Sequence, residues 1–586
     1  MIRFFPARGR RGRRQPRVAC LCLVVSLSAG ALQASAHGPP ESQPAAVAPT
    51  VLGAHSLHRS SGAGSEAPSP RTPAHHAAAA PVSPARTLPV TTCSDDGGSG
   101  TLRTILGSAA SGDTIDLRQL ACSTIVLQGG EIETAVDDLV IAGPGRDTLV
   151  IDAADASRIF LHTGNGTLAL HAVTLTRGRV IDGNGGCVSS SHGSIALVDA
   201  TVAGCTAHDA SGQSDYAGGG GLFAAGDITL LHSTVRDNTA SADAARVVGG
   251  GGLLTRLNQE GVAGNVEIAR SVVSGNRVLS THTGSDVEVY GGGIDSRGTV
   301  RILHSVVSGN AVSSASSDDE EESITEGGGV NTVGLYALGS SFNDNRVENS
   351  GGAMDVAGGA IAARGTAVIS GSTIEHNHAG MLAGGIVQLG GVPDVSRLEI
   401  VNSTVSHNTA GFYGAGIAIM DEMVMMNSTV AFNAVDEASP FGIGGILIGS
   451  NDTINAYRIY SSIISNNQAG SEVMFGTDLA AFIPDLITIA GSSNLVGEAS
   501  GLNLPGDTLG GDPLLLPLAD YGGPTRTHAL AEGSPAIDAG SNAAGLAVDQ
   551  RGGYHVRAFG AGVDIGAFET QPTPDGLFRS GFESAE

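Results

Sequence analysis

The chain has 586 residues, 86 of them glycine, with no tryptophan and no lysine, so its 31 basic side chains are all arginine against 57 acids, for a net charge of −26. So large a negative excess repels nucleic acid and anionic membrane surfaces, which removes nucleic-acid binding from the candidate functions. With aromatic residues at 4%, a core has to be built from small and β-branched side chains. Residues 1–36 have the layout of a secretory signal: arginines from Arg3 to Arg17, an apolar stretch over 18–32, and the small residues Ala34, Ser35 and Ala36. That apolar stretch is too short for a membrane span, and no later one is longer. Residues 37–89 are rich in Pro, Ala, Ser and His without a period, a composition that predicts a disordered linker. Its His75 and His76 are read as solvated side chains.

From 90 to 491 the pattern predicts an all-β fold. Leu102, Ile105, Leu106 and Ala109 have helical spacing that stops at Gly112, which predicts a short helix capping the first coil. Short apolar triplets follow at Ile115, Ile125, Ile141 and Ile151. Then two phrases alternate. A glycine cluster runs into one apolar anchor, at Leu222, Leu253, Ile294, Val330, Ile361, Ile386, Ile417 and Ile446. A Ser-x-apolar-x-x-Asn phrase ends at Asn238, Asn276, Asn310, Asn345, Asn377, Asn408, Asn433 and Asn467. Anchor and Asn are 15 or 16 residues apart in five copies and 21 to 23 in three, as in a stacked coil that tolerates loops. Periods of about 20–50 residues mark a solenoid, and Gly, Ser, Thr, Asn and Val disfavour helices. The expected fold is a right-handed parallel β-helix. Its asparagines are expected at inward turns in left-handed geometry, bonded into a ladder from coil to coil, a structural role preferred to a catalytic one.

Cys93, Cys122, Cys187 and Cys205 remain after the signal. An even number in an exported chain favours two disulfides over zinc or catalytic thiols, and proximity pairs Cys93 with Cys122 and Cys187 with Cys205. The acidic run at 318–322 lies in the longest loop and is the one place where calcium is considered; consecutive acids more often form a solvated, self-repelling loop, so no cofactor is assigned. His232 and His304 both precede the Ser of the second phrase, and His376 and His407 both precede its Asn. Equivalent coil positions would let each pair stack into a histidine face, although solvent-facing side chains are the plainer reading.

Residues 492–570 lose the repeat, and 571–586 form a spacer and short tail. Asp538, Asp549, Asp564 and His528 invite an acid–base reading, but Asp before small or Gly-rich sequence more often fixes a turn, with Arg551 as an ion-pair partner.

Gly358-Gly359-Ala360-Ile361 and Phe342-Asn343-Asp344-Asn345 resemble the repeat pair of polymorphic outer-membrane proteins and related bacterial surface β-helices. Asn494-Leu495-Val496-Gly497, Gly511-Asp512-Pro513-Leu514, Gly522-Gly523-Pro524-Thr525, Ser534-Pro535-Ala536-Ile537-Asp538 and Asp564-Ile565-Gly566-Ala567-Phe568-Glu569 resemble, in order and spacing, the choice-of-anchor Q domain. The resemblance implies a C-terminal domain that closes the solenoid, followed by an anchor. It also implies an exported protein, secreted or held at the bacterial cell surface in association with the outer membrane.

Three functions compete: an adhesin-like module binding a surface glycan or protein, a display stalk, and a polysaccharide lyase or glycoside hydrolase. A hydrolase needs two carboxylates flanking the bond, and the Asp-Asp pairs at 95–96, 137–138 and 318–319 fall outside the repeat motifs. An acidic chain without Trp is also a poor polyuronate binder. The expectation is a monomeric, non-catalytic exported β-helix, with the glycan-cleaving enzyme as the alternative.

Overall fold

The structure, a computed structural model, describes residues 85–571 except 213–215, 258–260, 285–286, 318–322, 353–354, 391–395, 437–441, 450–455, 471–476 and 482–486. The signal, most of the linker, the acidic run at 318–322 and the tail from 572 lie outside the described residues.

One coil shows how the sequence folds. Ile294–Leu303 forms a first face, Val306–Ser308 a second, Ala311–Ser314 a third and Ile324–Glu326 a short fourth. The chain then passes through Gly327, Gly328 and Gly329 into the next first face, Val330–Leu338. Each strand pairs in parallel with its counterpart one coil on: Ile294 with Val330, Val306 with Ser341, Ala311 with Arg346, Ile324 with Asp355. Among the described residues, repetition gives four parallel sheets, of 25, 13, 9 and 5 strands. This is a parallel β-helix. Every repeated apolar anchor, from Leu222 to Ile446, is fully buried in one continuous core. A second, smaller core of Ala and Val, including Val248, Val289, Val312 and Val347, separates the third and fourth faces. Stacking is what buries these residues, since a single coil has no interior of its own.

The two sequence phrases prove to be the two sides of one contact. A Cβ on Gly293 would come within 3.0 Å of Asn310 Cγ and 2.7 Å of the Gly329 carbonyl, and Gly252 meets Asn276 in the same way. The anchor-side residue is therefore small wherever an Asn stacks beneath it, glycine in seven of the eight copies and Ala360 in the coil of Asn377. Asn310 Nδ2 donates to Asn345 Oδ1 at 3.0 Å and to the Val273 carbonyl at 3.0 Å, while its backbone N–H takes the same Asn345 oxygen at 3.1 Å. This pattern repeats from Asn238 to Asn467, which ends on Asp478 Oδ1 at 2.8 Å. The left-handed residue, however, is the one before each Asn: Asp237, Gly275, Gly309, Asp344, His376, His407, Phe432 and Asn466 all have φ between 55° and 64°. The expected turn geometry is thus displaced by one position. The Asn aims its amide inward along the stack, and the tight corner is taken by its neighbour.

The Ser of the same phrase builds a second ladder at the preceding corner. Ser233 N–H donates to Ser271 Oγ at 2.9 Å, and the series continues through Ser305, Ser340, Ser372, Ser403, Ser428 and Ser462 to Asn494. Two disulfides close the N-terminal coils, Cys93–Cys122 and Cys187–Cys205. The second replaces a Gly–Asn contact covalently: Cys187 precedes Val188, the register partner of Leu222, and so stands where the next coil has Gly221. Cys205 stands where that coil has Asn238.

The helix Leu102–Leu106 covers the first coil, with Thr101 as its N-cap and Leu102 and Leu106 buried against the core. The end of the stretch 37–89 is strand and not linker, because Thr87–Pro89 pairs with Thr114–Asp116 as an edge strand. There the proline costs no ladder bond. At the other end solenoid strands continue past 491 to Ala499–Ser500, and Leu502 and Leu504 pack on the open core. Among the described residues no helix is long and apolar enough to cross a membrane.

Candidate functional site

From Pro513 to Thr570 the chain returns along the outside of the second face. Its attachment is polar and specific. Gln550 donates through Nε2 to Thr373 Oγ1 at 2.9 Å and accepts from Thr404 Oγ1 at 2.6 Å. Asn402 and Asn427, left-handed corner residues of successive coils, hand their amides to the Val548 and Ser541 carbonyls, each at 3.0 Å. Ala567 N–H bonds Thr429 Oγ1 at 3.1 Å. A small apolar seam of Ile463, Leu495, Leu530, Ala536 and Ile565 lies beneath.

Where this segment meets the Asn-ladder corner there is a cleft of ≈ 370 Å³, lined by His376, His407, Phe432, Arg526 and His528 over Pro517 and Leu518. His376, His407 and Phe432 occupy the same left-handed corner position on three successive coils. Coil stacking therefore stacks their rings: His376 lies 5.0 Å from His407 at 16°, and His407 lies 5.4 Å from Phe432 at 25°. His528 enters from the returning segment, 5.9 Å from His407. The second histidine pair anticipated from the repeat thus stacks. The first does not meet in this way, because Arg270 holds the intervening position between His232 and His304.

Hydrogen-bond directions fix the protons in the cleft. The Leu516 carbonyl can only accept, so His528 Nδ1 donates to it at 2.7 Å and His528 Nε2 is left as an acceptor. Ser406 Oγ must then give its proton to that nitrogen at 2.9 Å and accept at 2.7 Å from His407 Nδ1. At the next ring, Glu375 lies 3.2 Å from His376 Nδ1, which donates to its carboxylate; Arg526 reaches the same oxygen at 2.8 Å. Both rings therefore donate through Nδ1, so that in the neutral ring it is Nε2 that carries the lone pair. Burial holds the His528 imidazole down, to about 4, and lowers that of His407 as well, with His376 and Arg526 adding to the effect, so the neutral forms prevail at neutral pH.

A second polar cluster lies where the fourth face meets the first. Asp295 accepts from Asn331 Nδ2 at 2.8 Å and from the Tyr216 hydroxyl; Arg364 joins Asn331 Oδ1 at 2.8 Å to Glu326. The Arg364 guanidinium lies 5.2 Å over the Tyr290 ring. Burial pushes the carboxyls of Asp295 and Glu326 up, and both are 1% exposed. These acids were not singled out from the sequence, although Gly-Ile-Asp-Ser and Thr-Glu-Gly-Gly place charge directly beside the glycine clusters. Asp295 is engaged at both oxygens and Glu326 is held by Arg364, so both acids are bound within the chain. Such a network fixes the fourth face against the first.

The C-terminal acids are spent on turns. Asp538 accepts from Ala561 and Gly562 N–H at 3.0 and 2.7 Å, and Asp564 accepts from Asp538 and Thr570 N–H at 2.8 and 2.6 Å. Arg551 pairs with Asp549 at 2.6 Å and stacks on Phe568 at 3.8 Å. Of the Asp-Asp pairs, Asp95 is held by Arg103 at 2.8 Å, Asp137 and Asp138 accept backbone N–H groups, and 318–319 lies outside the described residues. Among the described residues no three His, Cys, Asp or Glu side chains gather around one point that would hold an ion.

No protein-family model matches the chain, and no curated protein matches it. Among solved structures it is similar to a crystal structure of pectate lyase Pel9A, at 13% identity and a TM-score of 0.31, over 84% of this chain and 98% of that one.

Proposed function

We propose that the protein is an exported, non-catalytic β-helix that acts by adhesion, interaction or display, either secreted or retained at a bacterial cell surface. One observation carries this reading: the buried carboxylates of the central coils, Asp295 and Glu326, are engaged by Tyr216, Asn331 and Arg364 of the same chain. A glycoside hydrolase needs two carboxylates on either side of an accessible bond. The two disulfides accord with an oxidising destination outside the cytoplasm. Resemblance to polymorphic outer-membrane-protein repeats and to the choice-of-anchor Q domain supports surface retention, with a glycan or protein as the partner.

The alternative, a polysaccharide lyase or hydrolase, has the cleft in its favour, since His376 and His407 line it. Against it, the neighbouring Arg526 is tied to Glu375 and is not free to neutralise a uronate. The test is a depolymerisation screen of the purified exported chain against plant and microbial polysaccharides, with and without calcium, beside fractionation of the producing cells. Intact polymers and protein in the surface or medium fraction are expected. New reducing ends or unsaturated products would overturn the proposal.

A further inference from the structure

We infer that His376 and His407 form a binding site for a divalent transition-metal ion, zinc or copper, at the mouth of the cleft. The argument starts from tautomers. A histidine ligand binds a metal through a lone pair, and its other ring nitrogen ordinarily donates to a carboxylate or another oxygen that fixes the ring. The second condition holds at both residues, and it reserves Nε2 of each neutral ring for a ligand. Glu375, itself buried, receives Nδ1–H of His376, and Ser406 receives Nδ1–H of His407. Ser406 is in turn oriented by the chain through His528 to the Leu516 carbonyl. Two hydrogen-bond systems thus present two Nε2 lone pairs on neighbouring, nearly parallel rings.

The rings are 5.0 Å apart, so Nε2 atoms bound to one zinc at about 2.0–2.1 Å must converge by a tilt of the rings. His376 is exposed and His407 half-buried, which leaves room for that tilt. The charge of Arg526 is met by Glu375, so an incoming cation does not face an unbalanced guanidinium. Imidazole pairs without carboxylate oxygens favour zinc, copper or nickel over calcium and magnesium. Two protein ligands leave the other positions to water or to a donor on a molecule held in the cleft, which would make the metal a bridge to a partner.

The backbone offers a clean test. His376 and His407 have φ of 55° and 56°, and the same corner position holds Gly275 and Gly309 in earlier coils, so His376→Gly and His407→Gly suit the local conformation. Zinc and copper binding to the exported chain would be measured by calorimetry, with calcium and magnesium as controls, alongside the double variant and a His75→Ala/His76→Ala chain that removes the linker histidines. The expected result is one equivalent of zinc or copper lost in the double variant and kept in the linker variant, with each single glycine variant weakening that site at least tenfold. Copper-loaded protein should show electron-spin coupling to two imidazole nitrogens that the double variant lacks, with circular dichroism unchanged. Equal stoichiometry and affinity in the wild-type and double-glycine chains would overturn the inference, as would a site that calcium fills equally well.

Discussion

Each ladder Asn has to accept through Oδ1 and donate through Nδ2 at the same time. Asn345 receives Asn310 through its oxygen and gives its amide to Asn377 and the Val307 carbonyl. Asn345→Ala strands buried donors above and a buried acceptor below, each at about 1–3 kcal/mol. We expect a loss of about 3–5 kcal/mol in urea unfolding, and a larger one for Asn345→Asp, which removes the donor and adds a buried charge. The ladder itself supplies the contrast, since Asp478 is placed only at its terminus, where it need only accept. If Asn345→Asp were as stable as the wild type, the ladder would not be holding the coils in register. At the N-terminal end Asp113 takes hydrogen bonds from the Arg86 guanidinium and the Ala110 N–H, which hold its carboxyl well below the usual range. The stability this gives is present above the ordinary carboxylate pKa of about 3.9 and is lost as pH falls through the lower folded value. Melting curves between pH 5 and pH 2 should therefore fall less steeply for Asp113→Asn, which starts from a lower plateau. Equal slopes would mean the pair contributes nothing.

At the level of the coil, the glycine cluster and the Asn were legible because each recurs, and their packing against one another follows from the missing Cβ. The corner residue was misplaced by one because Asn is a frequent left-handed residue, while His376, His407 and Phe432 are not usual ones. The serine ladder lay in the same phrase, but nothing in spacing alone distinguishes a serine bonded between coils from one facing solvent. The Asp295–Glu326 cluster was illegible because it depends on a fourth face only three residues long in this coil, Ile324–Glu326, whose register no period announces. The cysteine pair offers a test of the coil's logic. Cys187→Gly with Cys205→Asn restores the generic contact, whereas Cys187→Ser with Cys205→Ser leaves two buried hydroxyls in its place. Both lose the cross-link's contribution of about 3 kcal/mol. The Gly/Asn chain should melt several degrees above the Ser/Ser chain, and the reverse order would show that the contact is not transferable between coils.

Across the whole molecule, a solenoid holds together through neighbours, so its stability is close to a sum of coil and interface terms. The returning segment breaks that rule on one side. It bonds Gly371 and Thr373 of one coil and Thr404, Thr429 and Ser461 of the next three, and so clamps several interfaces at once. His528 reaches the cleft through this clamp, so the repeat announced only the His376 and His407 side of it. Gln550 is the most connected clamp residue, 2% exposed and bonded to Thr373, Thr404, Thr525 and Arg526. Amide hydrogen exchange should accordingly show higher protection in the second-face strands Thr373–Glu375, Thr404–Ser406 and Thr429–Ala431 than in Thr234–Arg236 and Val272–Ser274, which lie outside the coils that the described returning segment bonds. Gln550→Ala leaves several buried partners unpaired, at about 2–4 kcal/mol together. That loss should lower protection across all three covered strands together and leave the two uncovered ones unchanged. A drop confined to the strand at Thr404 would mean that each coil is held singly and that the returning segment rests on the solenoid without coupling it.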